Sequence, residues 1–325
     1  MSTLIVPCLG RKFVNGIPEY LNRHPNGKLL IEHSIEGIYS EQYKKVIIVL
    51  YKEDIENYYA ESIITSELKK YPVEIITLNE MTSGPAETVY RAIKIAGVVG
   101  EFVVKDSDNY LELDKNLLHG NFVAGLDLNI WERDIHNLRS KSFLIVNEQK
   151  NLLDIIEKQV RSDLICLGLY GFKKAEDFLN AYEHLNDGNY PLSKLYVSHI
   201  ISYLIGYAGR VFHCINCIKY ENWGDERLWQ DMQKNYTMYF IDLDNILNIN
   251  GNLSENNKEK LTLLQDRGAS FVGYTVEDEE YKISALKVLK EAGLKFIKII
   301  YGCPYSEKKE IIASDDELER KVIEL

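Results

Sequence analysis

The sequence predicts an α/β protein with a large Rossmann-like domain followed by a small α/β domain. Apolar runs of strand length alternate with amphipathic segments of helix length through the first half of the chain. The same alternation begins again near Tyr236. Strands that alternate with helices indicate parallel βαβ units covered on both faces, and ligands bind at the carboxyl ends of such strands. We therefore expect the chemistry in the loops after the first, third and fourth strands.

Each predicted strand of the large domain is an apolar run. These strands cover residues 4–6, 46–50, 73–78, 102–104, 142–146, 165–169 and 210–215. The predicted helices cover residues 28–39, 54–68, 88–96, 176–184 and 195–205. In the first helix, Leu29, Ile31 and Ile35 recur at near-helical spacing. We assign residues 1–233 to this domain.

The small domain covers residues 236–325. Its predicted strands are 238–241, 270–274, 295–300 and 311–312, with predicted helices at 261–266 and 281–292. The order of strands and helices again indicates an α/β unit.

The composition argues against several classes of protein. The chain has 325 residues, a formal net charge of −11 and 46% hydrophobic residues. This acidic balance argues against sequence-independent binding of nucleic acid, which depends on Lys and Arg neutralising phosphates. No apolar run reaches the roughly 18 residues of a membrane span, and the N-terminus does not resemble a signal peptide. We therefore expect a cytoplasmic protein that does not bind a membrane.

The first candidate site is the turn-rich loop after strand 4–6. Gly10 lets backbone N–H groups approach a triphosphate, and the adjacent Arg11 and Lys12 would neutralise its charge. Pro7 and Leu9 border the same turn. A solvent-exposed loop with two basic residues is the alternative interpretation.

The second candidate site is the segment 82–89, which leads into a predicted helix. Gly84 permits close backbone approach to a flat base, while Glu87 and Thr88 can cap the helix. The candidate nucleotide-binding residues of this segment are Ser83, Gly84, Pro85, Ala86 and Thr88. A plain capped helix start is the alternative.

The third candidate site is the pair Asp106 and Asp108, directly after strand 102–104. Two carboxylates at the end of a buried strand suit Mg²⁺, a hard cation that bridges protein oxygens and phosphates. Acidic residues after a strand can also be turn formers, but two of them flanking Ser107 favour the metal. We therefore expect Mg²⁺ as the cofactor.

Three further short motifs follow along the chain, at residues 157–158 (Glu-Lys), 168–172 (Gly-Leu-Tyr-Gly-Phe) and 222–225 (Asn-Trp-Gly-Asp). In this order, together with the three loops and the segment 26–32, they resemble the sugar-phosphate nucleotidyltransferase family. The family includes cytidylyltransferases of capsular and surface-polysaccharide pathways. The resemblance covers the chain from its start to Asp225.

The resemblance implies a GT-A-like domain that transfers NMP from a nucleoside triphosphate to a phosphorylated sugar, polyol or amino-acid derivative. CTP is the expected donor. Catalytic roles follow for Arg11, Lys12 and Lys158, and Asp225 would join the two earlier aspartates at the metal. The implied acceptor-binding residues are Glu157, Lys158, Gly168, Tyr170 and Trp223.

Two positions depart from the family pattern. Glu19 occupies the place of a lysine that normally helps to hold the phosphates, so Arg11, Lys12 or Arg23 would have to substitute for it. Asn222 occupies the place of an aspartate that binds metal, with Glu221 or Asp225 as substitutes.

The small domain resembles the haloacid-dehalogenase (HAD) phosphatase superfamily. Asp242 and Asp244 follow strand 238–241, and Thr275 follows the next strand. The resemblance implies Asp242 as a nucleophile and Asp244 as an acid/base, with both also at a Mg²⁺ site. Later residues would complete this site: Lys308 or Lys309 for phosphate, Asp315 and Asp316 for Mg²⁺.

Other functions stay open for both domains. Asn245–Ile246 replaces the Gly-Thr of the phosphatases and the chain is too short for a cap, so a degenerate or regulatory small domain is an alternative. A GT-A glycosyltransferase also uses Asp-x-Asp to hold a nucleotide sugar. Glu19, Asn222 and Asn245 would equally fit a catalytically inactive binding or scaffold protein.

Overall fold

A computed structural model describes residues 2–9, 12–13, 16–24, 28–131, 138–187, 194–224, 227–230, 238–248, 251–266, 269–301 and 311–312. The chain forms two compact units. The larger contains Met1–Asn22 and Leu29–Asp225, and the smaller contains Arg23–Lys28 and Glu226–Leu325.

The larger unit is built on a nine-stranded mixed sheet and a separate two-stranded pair. Its strands are β1 (Ser2–Cys8), β2 (Tyr43–Tyr51), β3 (Val73–Leu78), β4 (Phe102–Lys105), β5 (Asn109–Glu112), β6 (Phe122–Asp127), β7 (Phe143–Val146), β8 (Leu152–Ile156), β9 (Leu164–Phe172), β10 (His213–Asn216) and β11 (Lys219–Asn222). The main sheet has the order β10-β6-β9-β4-β1-β2-β3, with β7 and β8 attached to β9. β5 pairs with β11.

The parallel arrangement predicted for the first half of the chain is present in β1 to β4. β9 departs from it, because it runs antiparallel to both β4 and β6 between which it lies. The chain reaches β9 through the hairpin β7–β8 and not through a crossover helix. Only a parallel strand needs such a crossover, so β9 can run antiparallel.

Six helices of the described residues belong to the larger unit. They are α1 (Leu30–Glu36), α2 (Lys52–Tyr58), α3 (Ala60–Glu67), α4 (Pro85–Ala96), α5 (Ala175–Leu185) and α6 (Val197–Gly206). α4 shows why these boundaries arise. Pro85 begins it without losing a hydrogen bond, and Gly97 ends it in the left-handed conformation at φ 61°. Val89 and Ile93, four residues apart, face the core.

Apolar side chains cover both faces of the sheet. In β1, Leu4 and Val6 join one hydrophobic cluster while Ile5 joins the other. This alternation follows from the pleat, which points successive side chains to opposite faces.

Two predicted helices and one unassigned segment differ from the structure. Helix 28–39 is shorter, since α1 covers only Leu30–Glu36. Helix 54–68 is divided into α2 and α3 by Tyr59, which has a left-handed φ of 53°. The segment 109–112, for which no strand or helix was predicted, is strand β5, whose partner β11 comes more than one hundred residues later.

The smaller unit has a parallel four-stranded sheet of order β14-β13-β12-β15. The strands are β12 (Met238–Asp242), β13 (Ser270–Thr275), β14 (Phe296–Tyr301) and β15 (Ile311–Ile312). The helices are α7 (Leu243–Ile246), α8 (Glu255–Asp266) and α9 (Glu279–Glu291). Ile241, Leu261, Phe271 and Leu289 lie in its own hydrophobic core.

None of the helices in the described ranges is both long and apolar enough to cross a membrane.

Candidate active site

The turn after β4 carries Asp106 and Asp108. The Asp106 backbone N–H donates to Gly168 O at 2.8 Å, which attaches the turn to β9. The Asp108 carbonyl accepts a hydrogen bond from the Trp223 backbone N–H at 3.1 Å. The neighbouring residues Asn109 and Asn222 are paired in the antiparallel strands β5 and β11. Three motifs that are far apart in the sequence therefore meet at the carboxyl end of β4.

Two glycines lie directly against the two carboxylates. A Cβ atom on Gly168 would come within 2.2 Å of Asp106 Oδ2. A Cβ on Gly224 would come within 2.6 Å of Asp108 Oδ2 and 3.0 Å of Asn222 Oδ1. The space beside each carboxylate is thus kept free of side chains, and the oxygen donors suit a hard divalent cation. Asp106 and Asp108 fit the predicted metal site, and Asp225 lies outside the described residues.

The carboxylates and ammonium groups at this site shift one another's pKa values. Burial raises the pKa of Asp106, and the Asp108 carboxylate raises it further, against the opposing effects of Lys105 and Lys141. Burial lowers the pKa of Lys105, while Asp106 and Asp108 oppose that decrease. These shifts are those of a desolvated cluster in which carboxylates and ammonium groups compensate each other.

Two cations of this cluster were not predicted from the sequence. Lys105 is the last residue of β4, and the only signal for it was a lysine ending an apolar run directly before Asp-x-Asp. Lys141 donates to Tyr220 OH at 3.2 Å. Burial lowers the pKa of Lys141, but Tyr220, Asp108 and Asp106 outweigh that effect and leave it raised. Lys141 lies just before β7 and belongs to no recognisable motif. Its place in this cluster is therefore visible only in the folded structure.

The segment 82–88 forms the start of α4. Ser83 N–H donates to Glu87 Oε2 at 2.6 Å, and the hydroxyl groups of Thr82 and Thr88 are 2.7 Å apart. Gly84 is in close contact with protein, because a Cβ there would lie 2.6 Å from the Leu195 carbonyl oxygen. The predicted nucleotide-binding residues Ser83, Gly84, Pro85, Ala86 and Thr88 thus lie around the first turn of α4, whose N-cap residue is Gly84 and has no side-chain cap hydrogen bond.

Glu157 and Lys158 follow β8 beside the start of α6. Glu157 Oε2 accepts hydrogen bonds from Ser142 Oγ at 2.5 Å and Ser198 Oγ at 2.6 Å. Lys158 has a left-handed φ of 55°, and its ammonium nitrogen lies 4.2 Å from the centre of the Tyr196 ring. The ammonium of Lys194 lies 5.1 Å from the same ring centre. Two cations therefore flank one aromatic ring, and neither Lys194 nor Tyr196 was predicted.

Two predicted acceptor-binding residues are buried. Tyr170 lies in β9 within a hydrophobic cluster, and burial raises the pKa of its hydroxyl. The Trp223 side chain is fully buried, with its ring 5.8 Å from that of His33. Both side chains therefore have little exposed surface.

The predicted phosphate loop after β1 is described only in part. Pro7 belongs to β1 and Leu9 packs against the core, while Gly10 and Arg11 lie outside the described residues. The Lys12 ammonium is 3.6 Å from Asp54 Oδ1 and 3.4 Å from Tyr58 OH.

Glu19, at the position where the resembled family has a lysine, is buried in the 3-10 turn Glu19–Leu21.

The smaller unit collects a second polar cluster at the carboxyl ends of β12 and β13. Asp242 accepts hydrogen bonds from Asp244 N–H at 3.1 Å, Asn245 Nδ2 at 2.9 Å and Tyr274 OH at 3.0 Å. Asp244 accepts from Thr275 Oγ1 and from Val276 N–H. From the sequence we expected an extended chain here, which would point Asp242 and Asp244 to the same side. The chain after Asp242 is helical instead. Lys308, Lys309, Asp315 and Asp316 lie outside the described residues.

Solved structures share this architecture. The chain matches a nucleoside-diphosphate-sugar pyrophosphorylase from Vibrio cholerae RC9 with a TM-score of 0.57 and 21% identity, over 71% of this chain and 99% of that one. It matches the inositol-1-phosphate CTP transferase from T. maritima with a TM-score of 0.54 and 11% identity, over 71% of this chain and 95% of that one. No family model and no curated protein matches the chain. At these identities the likeness shows the fold, and it confirms the predicted α/β, Rossmann-like architecture of the nucleotidyltransferase type.

Proposed function

We propose that the larger unit transfers NMP from a nucleoside triphosphate to a phosphorylated sugar or polyol, with release of pyrophosphate. The observation that carries this proposal is the meeting of Asp106 and Asp108 with Gly168 and the segment 222–224 at the end of β4. This is the edge of the sheet where α/β proteins bind ligands. The fold is shared with structures named as a sugar pyrophosphorylase and a CTP transferase.

The chemistry divides among few residues. An oxygen of the acceptor phosphate attacks the α-phosphorus, the bond from that phosphorus to the bridging oxygen breaks, and pyrophosphate leaves. Asp106 and Asp108 would hold Mg²⁺, which supplies neutralisation of the phosphate charge when bound. Lys158 and Lys194 would orient the acceptor phosphate, so that catalysis is mainly positioning and charge stabilisation.

CTP is the proposed donor, with its base at the segment 83–88. The support is the family resemblance of the sequence and one structural neighbour whose name includes CTP. The proposed role is synthesis of an activated precursor for a surface polysaccharide.

The test is pyrophosphate release from CTP, UTP, GTP and ATP, each combined with phosphorylated sugars, polyols and amino-acid derivatives. We expect turnover with at least one pair, highest with CTP. Asp108→Asn should lower kcat by on the order of 10² or more, as expected for a lost metal ligand. Unchanged turnover in both Asp106→Asn and Asp108→Asn would contradict the assignment. Release of NDP from a nucleotide sugar would instead indicate a glycosyltransferase.

For the smaller unit we propose phosphomonoester hydrolysis, with Asp242 as the nucleophile. The favouring observation is the contact of Thr275 with Asp244 beside Asp242, at the ends of adjacent parallel strands. A panel of phosphomonoesters with Mg²⁺ tests it. If the wild type releases no more phosphate than Asp242→Asn, the cluster is structural.

A further inference from the structure

Lys105 is a lysine with no exposed surface. Its side chain has 0% exposure at the end of β4. Lysine is almost never fully buried unless its charge is compensated, because removing an ammonium from water is costly. A buried lysine directly beside the candidate metal carboxylates therefore needs a specific explanation.

The contacts of Lys105 fill its hydrogen-bonding capacity. Its ammonium donates to Asp106 O at 2.5 Å, Asn109 O at 2.9 Å and Asn109 Oδ1 at 2.7 Å. All three acceptors belong to the turn that carries Asp106 and Asp108. Since an ammonium has three protons, this turn satisfies all of them.

The contact with Asn109 determines which way its amide points. The two ends of an amide are nearly indistinguishable by shape, but a lysine can only donate. Asn109 Oδ1 must therefore face Lys105, and Nδ2 must face the other way. There Nδ2 donates to Asp108 Oδ1 at 3.1 Å and to Leu167 O at 3.2 Å.

We propose that Lys105 and Asn109 form a positioning relay that holds the Asp108 carboxylate in its metal-binding orientation. Lys105 fixes the Asn109 amide, and the amide fixes Asp108. Ligand carboxylates depend on such outer hydrogen bonds, whose loss typically weakens metal binding by 10- to 100-fold. This inference rests on the proposed metal role of Asp108.

The positive charge of Lys105 also acts directly on the proposed metal site. This charge weakens metal binding, whereas the hydrogen bond of Lys105 to Asn109 strengthens it. Removing a cation close to a metal site strengthens metal binding through space. A double-mutant cycle separates the two effects, because the direct charge effect of Lys105 is present in both backgrounds of Asn109 and cancels.

The experiment measures Mn²⁺ affinity by calorimetry on the full chain without nucleotide. The variants are Asn109→Leu, Lys105→Met and the double variant. We expect Asn109→Leu alone to weaken Mn²⁺ binding by at least about tenfold. In the Lys105→Met background, where the amide is no longer held, the same substitution should change the affinity by less than about twofold. An equal factor in both backgrounds, or no effect in either, overturns the relay.

Val104→Ala is the control for general loss of packing. Val104→Ala removes buried volume from the same strand, so it should lower Tm and leave Mn²⁺ affinity unchanged. If Val104→Ala loses as much Mn²⁺ affinity as Asn109→Leu, the loss reflects destabilisation of the fold and the relay is overturned. If Lys105→Met does not fold, Asn109→Leu alone decides: a tenfold loss supports the relay and an unchanged affinity overturns it.

Asp108→Asn separates this inference from the proposed function. If that variant binds Mn²⁺ as the wild type does, the metal role of Asp108 and the relay both fail. If only Asp108→Asn weakens binding, the relay fails while the proposed metal site stands.

Discussion

Gly168 packs directly against the Asp106 side chain, which leaves no space for a larger residue. Its φ of 73° is in the left-handed region, and an added Cβ would overlap Asp106 Oδ2. The sequence suggested this glycine as part of an acceptor pocket. In the structure it makes room for the Asp106 carboxylate, which the proposed metal site requires.

Gly168→Ala should therefore abolish pyrophosphate release and weaken Mn²⁺ binding. The matched control is Gly97→Ala, since Gly97 also has a left-handed φ, 61°, but has open space around a Cβ. Both variants should lose on the order of 1 kcal/mol or more of unfolding free energy from backbone strain. Only Gly168→Ala should lose metal binding. Equal metal affinities in the two variants would contradict this interpretation.

Lys158 combines a strained backbone with a candidate functional side chain. Residues held in such conformations are frequent at functional sites, where the strain is tolerated for the position it gives. Both Lys158→Gly and Lys158→Ala lose the contact with the Tyr196 ring, but only glycine has no penalty at a φ of 55°. We therefore expect the unfolding free energy of Lys158→Gly to exceed that of Lys158→Ala by about 1 kcal/mol, measured by denaturant unfolding. Lys158→Ala retains the strain and should not stabilise.

Both Lys158 variants should raise the acceptor KM about tenfold or more, since a charged hydrogen bond is worth roughly 1.5–3 kcal/mol. The KM of the nucleotide should change much less, and Lys194→Ala should show the same selectivity. Steady-state kinetics of pyrophosphate release measure both constants. Equal increases in the two constants would indicate that these lysines form only surface contacts.

At the scale of elements, the break between α2 and α3 is a single residue. Tyr59 is 72% exposed and left-handed, so its ring contributes little packing that could offset its strain. Tyr59→Gly should stabilise the protein by about 1 kcal/mol. The control Tyr207→Gly removes an equally exposed tyrosine with a negative φ of −105°, and it should destabilise. Thermal or denaturant unfolding measures both, and destabilisation by Tyr59→Gly would refute the strain argument.

The elements that could be predicted are those whose signal is local. Strand 73–78 was predicted with its observed bounds, because its apolar run ends at clear turn residues. The break at Tyr59 was not predicted, because apolar residues continue at helical spacing through it. β5 was missed for a different reason. Its hydrogen bonds go to β11, and a short polar segment shows no strand pattern without that partner.

In the candidate site, too, only the residues with a local sequence signal could be predicted. Asp106 and Asp108 could be predicted because position after a strand and residue type both appear in the sequence. Lys141 and Tyr196 could not, since their relation to the site exists only after distant segments fold together. The roles of the predicted site residues stay predictions until the variants are measured.

At the scale of the whole molecule, the two candidate sites belong to different compact units. We expect Asp242→Asn to abolish phosphomonoester hydrolysis while pyrophosphate release continues. Asp108→Asn should do the reverse. Both reactions can be measured on one preparation of each variant. Loss of both activities in either variant would contradict the assignment of one reaction to each unit.

The carbonyl of Leu195 has a consequence for how the two substrates bind. It accepts a hydrogen bond from Ala86 N–H at 3.3 Å and lies against Gly84. The next residue in the chain is Tyr196, whose ring lies near the ammonium groups of Lys158 and Lys194. Binding of a nucleotide at the segment 83–88 would therefore be coupled, through Leu195, to binding of the acceptor at Tyr196. Such thermodynamic linkage is reciprocal, so each substrate should increase the affinity for the other by the same factor, about fivefold or more. Calorimetry of the acceptor with and without a non-hydrolysable CTP analogue measures this cooperativity. Gly84→Ala, which disturbs the contact with Leu195, should reduce it.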